Sequence, residues 1–258
     1  MIRNAITSDK SQVLKFCQNT FSWGDYVEHV WDYWLNEDLL FVYEKQRPVG
    51  ICHAFFLKNQ IWIEGIRVDS NFRKQKIASD LVNHAESIGQ KNGALLSYML
   101  IDVENSISLS MAKSLKYGIF QTWNFYSLEP KKNSNFNITF PKSIDASLYP
   151  HYVKSWRWLP LDDSIVSELT KHNRIIRSTI DGKTSTAIIS DSEHFANTLI
   201  VTMFSGSEKS SLQIILFLQN YAVKNNCNRI QILTKEKLPD LELLEHKLSF
   251  HLLRKNLD

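Results

Sequence analysis

The stretch that decides the fold is Ile61-Trp62-Ile63-Glu64-Gly65-Ile66-Arg67-Val68, followed by Asp69-Ser70-Asn71-Phe72-Arg73-Lys74-Gln75-Lys76 and then Ile77-Ala78-Ser79. The first part is rich in β-formers and reads as a strand. Residues 69–75 are a polar loop. A helix follows over residues 77–91, with Leu81, Val82, Ala85 and Ile88 on one face. Asn92-Gly93 stops it. A basic loop between a strand and an amphipathic helix suits anion binding. First-turn N–H groups point into the loop, and the helix dipole favours negative charge there. Arg73, Lys74 and Lys76 stand in that loop.

Working outward, residues 2–6 read as a strand. Thr7-Ser8-Asp9 offers caps for a helix whose apolar face holds Val13, Leu14, Phe16 and Cys17. A second helix is expected over residues 25–36. It and the turn before it hold Phe21, Trp23, Tyr26, Trp31, Tyr33 and Trp34. These rings either line a substrate cleft or pack the helix on a sheet. Residues 39–44 and 49–57 read as a hairpin around Gln46-Arg47-Pro48, and Lys58-Asn59-Gln60 makes a second turn. Beyond the central helix come a strand over 94–102, a helix over 106–116 and a strand over 120–128.

Composition bounds the answer. At about 150 residues per domain, 258 residues make one large or two small domains. The 43% apolar and 22% charged content is that of a globular chain. Eight glycines and six prolines exclude collagen-like and linker-rich architectures. The net charge of +3, with basic residues interleaved among acids, does not suggest nucleic acid as a partner. No apolar run reaches the roughly 18 residues of a membrane span. Met1-Ile2-Arg3-Asn4-Ala5 lacks a signal-peptide core. A soluble, cytoplasmic protein with no membrane partner is therefore expected. Cys17, Cys52 and Cys227 suggest no disulfide framework, and no Cys or His spacing suggests a metal site.

The central segment resembles the GNAT superfamily of acyl-CoA-dependent N-acetyltransferases, whose motif is V-x-x-x-x-[QR]-x-x-G-x-[GA]. Val68, Arg73 and Ala78 match, and Lys76 stands where the family has glycine. The order strand, two helices, hairpin, motif strand also looks like the family over residues 1–128. The resemblance implies acetyl-CoA as co-substrate, with its pyrophosphate over the N–H groups of Arg73, Lys74, Gln75, Lys76, Ile77, Ala78 and Ser79. It implies pantetheine beside the backbone of Ile66, Arg67 and Val68 as an added strand, with Asn105 as a further contact. Family members splay the next strand, here 94–102, to open that slot. Glycine at position 76 would permit positive φ; a left-handed lysine costs about 1–2 kcal/mol.

An alkylamine acceptor, with a pKa of roughly 10.4, needs a base before it attacks the thioester. Glu64 lies four residues before Val68, where many relatives place a catalytic glutamate. Strand alternation puts Glu64, Ile66 and Val68 on one face, with Trp62 and Ile66 desolvating the carboxylate. The alternative is a structural or substrate-binding carboxylate. The family's acid tyrosine precedes a Gly-Phe pair that looks like Gly118-Ile119 here, and its position holds Ser114, so the general acid is unassigned. Trp23, Tyr26 and Trp31 are substrate-site candidates.

The second half repeats the order of the first. Residues 156–161 read as a strand, 163–172 as a helix, 174–180 and 185–190 as a hairpin, and 198–204 as an apolar strand. Residues 212–224 read as a helix, 229–234 as a strand, 238–247 as a helix and 251–257 as a last strand. Lys91-Asn92-Gly93-Ala94 echoes Lys224-Asn225-Asn226-Cys227, and Lys116-Tyr117-Gly118-Ile119 echoes Lys247-Leu248-Ser249-Phe250, at offsets of 133 and 131 residues. The second motif strand, Thr198-Leu199-Ile200-Val201-Thr202-Met203-Phe204, carries no acid, and the loop Ser205-Gly206-Ser207 lacks the motif.

The expected fold is α/β in layers: two GNAT-like domains, each a mixed, mostly antiparallel central sheet flanked by helices. Residues 1–130 form the acetyltransferase domain, 131–147 a linker, and 148–258 a degenerate copy. The strand at 251–257 is expected to complete the first sheet. The expected activity is transfer of an acetyl group from acetyl-CoA to a primary amine in a ternary complex, with Glu64 as base and no metal. A small-molecule acceptor is preferred on the aromatic segment and on a second domain able to close the cleft. The rivals are a protein N-terminal or lysine acetyltransferase and a non-catalytic acyl-CoA-binding module.

Overall fold

In a computed structural model the described residues are 1–18, 20 and 24–257. They form two compact units, Met1–Phe120 with His251–Asp258, and Gln121–Phe250.

The first unit runs β1 (Ile2–Asn4), α1 (Lys10–Cys17), α2 (Val27–Asn36), β2 (Leu40–Glu44), β3 (Pro48–Leu57), β4 (Gln60–Val68), α3 (Ile77–Lys91), β5 (Leu96–Asp102), α4 (Ser106–Ser114) and the start of β6 (Gly118–Leu128). Its strands lie in the order β1-β2-β3-β4-β5, antiparallel up to β4, with β4 and β5 parallel. Parallel neighbours need a crossover, and α3 supplies it. Ile77, Leu81, Val82 and Ala85 of α3 pack on Phe41, Ala54, Ile61 and Ile63 on one face of the sheet. On the other face Val13 and Cys17 of α1 and Val27, Val30, Trp31 and Trp34 of α2 pack on Leu40, Val42 and Ile51. Each such aliphatic side chain contributes about 1.5–3 kcal/mol by leaving water.

The second unit holds the rest of β6, then β7 (His151–Lys154), β8 (Arg157–Pro160), α5 (Asp163–Lys171), β9 (Ile175–Ile180), β10 (Lys183–Asp191), β11 (Thr198–Phe204), α6 (Glu208–Lys224), β12 (Arg229–Thr234) and the start of β13 (Leu244–Asn256). Its strands follow the order β6-β12-β11-β10-β9. β11 and β12 are parallel, as β4 and β5 are. α6 covers them with Ile214, Ile215, Leu218 and Ala222 against Ile176, Ala187, Ile189 and Val201. The stretch 131–147 is tied into this unit. Asn133 donates to Gln219 Oε1 at 2.9 Å, Thr139 and Arg177 exchange backbone bonds, and Phe136 and Ile138 pack on the core.

The first echo is a structural equivalence. After α3, Gly93 has φ 90° and Ala94 N–H bonds Gly89 O at 2.9 Å. After α6, Asn226 has φ 55° and Cys227 N–H bonds Ala222 O at 2.9 Å. Both helices end on a left-handed residue that closes the last carbonyls. The second echo is not an equivalence. Lys116–Ile119 leaves α4 and enters β6, whereas Lys247–Phe250 lies inside β13. The helix expected over 238–247 is likewise corrected. Leu238 N–H bonds the Tyr126 hydroxyl at 3.2 Å, and Leu243 turns the chain at φ 69° into β13.

The last residues of β13 go to the first unit. Leu253 and Leu257 enter its core, and Leu257 N–H bonds Leu95 O at 2.9 Å. Among the described residues no helix is long and apolar enough to cross a membrane.

Candidate functional site

Lys58 and Asn59 form a two-residue turn between β3 and β4, with Lys58 at φ 57°. Counting back from it fixes the register Leu57↔Gln60 through His53↔Glu64. The Glu64 carboxylate therefore meets His53, whose Nδ1 lies 2.9 Å from Oε1. Trp62 Nε1 donates to Oε2 at 3.0 Å. His53 is fully buried and stacked on the Trp34 indole, with 4.8 Å between centroids and 3° between planes. Its Nε2 lies 3.1 Å from Glu37 Oε2, outside hydrogen-bond alignment. Sequence reading reached Glu64 and missed His53 and Glu37. The turn-fixed register was the signal for His53.

Beyond Glu64 the alternation breaks. The register shifts to Ile51↔Arg67 and Gly50↔Val68, so β4 carries one extra residue, a bulge at Gly65. Gly65 has φ +64°, and a Cβ there would sit 2.3 Å from Trp34 Cη2. This corrects the expected shared face. Ile66 and Val68 pack into the α3-side core, while Glu64 faces His53 and the α2 side. Ile66 thus does not desolvate Glu64, and Trp62 binds the carboxylate instead.

The bulge also ends the parallel ladder. β4 and β5 pair from Gln60↔Leu96 to Ile63↔Met99. β4 then continues to Val68 and β5 to Asp102. The backbone of Ile66, Arg67 and Val68 lies in this open stretch. Arg67 turns its side chain to the other side, where Nε meets Asp25 Oδ2 at 2.6 Å and the guanidinium covers the Tyr26 ring at 5.3 Å. Burial opposes the Arg67 charge, yet Tyr26 and Asp25 hold it above its ordinary pKa. Burial likewise keeps the Tyr26 phenol up, against the pull of Arg67.

The loop that follows is shaped by Asp69, which accepts from Asn71 N–H at 3.0 Å and from Arg47 Nη2 at 2.9 Å. Lys74 and Lys76 both have φ 61°. Lys76 takes the left-handed conformation the family glycine would take, and stands at the N-cap of α3 with no side-chain cap bond. A lysine ammonium cannot accept from an N–H, so the amides of Ile77, Ala78 and Ser79 keep their donors for an anion. Arg73, Lys74, Gln75 and Lys76 are exposed. Gln75 Oε1 accepts from Lys45 Nζ at 2.7 Å, and Lys45 and Arg47 both lie over the Phe72 ring.

Other candidates take structural places. Trp31 is fully buried in the α1–α2 core, which rules out a direct substrate contact. Tyr26 is half-buried, edge-on to Trp34 at 5.9 Å. Trp23 falls outside the described residues. Asn105 caps α4, its side chain accepting from Ser108 N–H at 3.0 Å. Ser114 Oγ donates to Met111 O at 2.7 Å. Tyr117 is buried between Ser97 and Glu86. Burial first, then Glu86, holds its phenol well above the ordinary range, so it is a poor proton donor. Among the described residues no His, Cys, Asp and Glu group is placed to hold a metal ion.

The chain's likenesses agree with this geometry. Residues 10–117 match the acetyltransferase (GNAT) family. No curated protein sequence matches. A candidate acetyltransferase from Thermoplasma acidophilum aligns at 14% identity and TM-score 0.67 over 100% of both chains. A GCN5-related N-acetyltransferase from Sphaerobacter thermophilus aligns at 13% identity and TM-score 0.63, over 99% of this chain and 95% of that one. A tandem GNAT protein from the clavulanic acid biosynthesis pathway aligns at 10% identity and TM-score 0.54, over 99% and 98%. At such identities the likeness is one of fold. Residues 10–117 thus match the acetyltransferase (GNAT) family, and the whole chain shares the fold of a tandem GNAT protein.

Proposed function

We propose that the first unit transfers an acetyl group from acetyl-CoA to the primary amine of a small molecule, within a ternary complex. The supporting observation is a single constellation: an uncapped helix N-terminus behind two left-handed lysines, an open stretch of β4 beside it, and a carboxylate at the bulge where that stretch begins. The amides of residues 73–79 hold the pyrophosphate, and the lysines add charge. Ile66, Arg67 and Val68 offer backbone to pantetheine. Acetyl-CoA supplies the thioester. Glu64 accepts the proton of the attacking amine as the C–N bond forms, and the C–S bond breaks to release thiolate.

Two measurements test this. Titration with acetyl-CoA saturates at one molecule per chain; absence of binding at millimolar concentration overturns the cofactor reading. Thiol release over a panel of small amines identifies an acceptor. With it, Glu64→Gln lowers kcat by about 10²–10³-fold and leaves acetyl-CoA affinity nearly intact. An unchanged kcat removes Glu64 from the mechanism.

A further inference from the structure

The groups beneath Glu64 show more than packing. His53 Nδ1 faces Glu64 Oε1 at 2.9 Å, and a lone pair there would repel the carboxylate, so Nδ1 carries a proton. Nε2 is buried and faces Glu37 Oε2 at 3.1 Å. The flat stack on Trp34 fixes the plane of the same ring. Arg67 of β4 is paired with Asp25. Burial holds the phenol of Tyr26 and the thiol of Cys52, next to His53 on β3, in their neutral forms.

We propose that His53 is a positioning residue for Glu64: a buried ring, stacked on Trp34 and set between Glu64 and Glu37, whose Nδ1–H fixes the carboxylate at the open end of β4 and favours its ionised form. This rests on Glu64 being the base. Glu37 stands at the end of α2, so it couples that helix to the base through one ring. Removing the Nδ1 donor loosens Glu64, which keeps its bond from Trp62, and lets it take a proton at higher pH.

The test is the pH profile of kcat, with one amine acceptor throughout, so that the acceptor's own titration is common to every variant. His53→Phe keeps a flat ring on Trp34 and removes the donor. Its acidic limb moves up by about 1–2 pH units, with the KM for acetyl-CoA unchanged. Glu37→Gln lies at a partly exposed site and leaves the core packing alone. It leaves the Nδ1 bond to Glu64 in place, so the acidic limb stays where it is. Thermal melts of both variants confirm folding. If the acidic limb does not move in the folded His53→Phe variant, His53 only packs and the inference falls. Glu64→Gln separates the two failures: an active Glu64→Gln enzyme overturns the base assignment itself, whereas an inactive one with an unmoved acidic limb in His53→Phe overturns His53 alone.

Discussion

The two units build the same strand-helix-strand crossover and differ in how far it zips. In the second unit β11 and β12 stay paired from Thr198↔Arg229 to Met203↔Thr234, nearly the length of β11. The antiparallel partner β10 runs beside β11 in unbroken register from Thr186↔Phe204 to Asp191↔Leu199. In the first unit β4 is bulged against β3, and its ladder to β5 ends at Ile63↔Met99. The helix starts differ as well. α3 begins behind an uncapped left-handed lysine. α6 begins at Ser207, whose side chain accepts from Ser210 N–H. The hydroxyls of Ser185, Ser205, Ser210 and Ser211 satisfy one another behind it. One crossover leaves donors and backbone open, and the other has closed both upon itself. An extra residue in a strand, not a different fold, separates a slot from a sealed sheet.

The largest predicted effect comes from the tail. Deleting 251–258 removes Leu253 and Leu257 from the first unit's core, at about 1.5–3 kcal/mol each. It also strips Lys255 Nζ from the buried Glu86 carboxylate, 2.5 Å away. An abandoned buried charge costs about 3–5 kcal/mol, and the sum rivals the whole stability of a domain. The shortened chain should lose acetyl-CoA binding while the melt of the second unit persists. Lys255→Met is the milder form, with an expected drop in melting temperature and retained binding. A shortened chain that binds acetyl-CoA like the full one would show that the first unit does not need the strand it borrows.

The next effect is at the bulge. Gly65→Ala places a methyl 2.3 Å from Trp34 and forces alanine into left-handed geometry. Strain of about 1–2 kcal/mol adds to overpacking of about 1–3 kcal/mol. Because Trp34 stacks on His53, the displacement reaches Glu64, and kcat should fall more than tenfold in whatever fraction stays folded. Gly206→Ala is the control. Its Cβ would meet Thr184 O at 2.0 Å, so it destabilises the second unit, and the folded fraction should keep its kcat. Equal kcat losses in the two variants would erase the functional contrast between the units.

Much of this was legible because it is local. The hairpins, the basic loop and α3 follow from turn residues and apolar spacing within single segments. What escaped depends on partners distant in sequence. The stretch 238–247 has leucines at helical spacing, yet a left-handed Leu243 directs it into a strand. Trp31 looked like a cleft residue because its aromatic character is visible and its burial is not. The bulge had a signal that went unused: a glycine inside a strand of β-formers marks a break in pairing. Reading it would have put Ile66 opposite Glu64. Glu37 had no local signal, since only the packing of α2 on β3 brings it to His53.

The smallest effect probes the lysine that replaces the motif glycine. Lys76 holds φ 61° and ψ 6°, a conformation that costs an L-residue about 1–2 kcal/mol and glycine little. Lys76→Gly relieves that strain, and glycine's larger unfolded-state entropy takes back part of the gain. The net is a stabilisation of about 0.5–1 kcal/mol, read as a small rise in melting temperature. The amides of Ile77, Ala78 and Ser79 keep their donors, so the change in acetyl-CoA affinity is expected to report the ammonium. Lys76 is exposed, where salt screens a single charge. The loss should therefore be a few-fold at low ionic strength and vanish at high salt. A loss that persists at high salt would mean that the backbone geometry of this lysine, rather than its charge, distinguishes the open loop from the one sealed by Ser207.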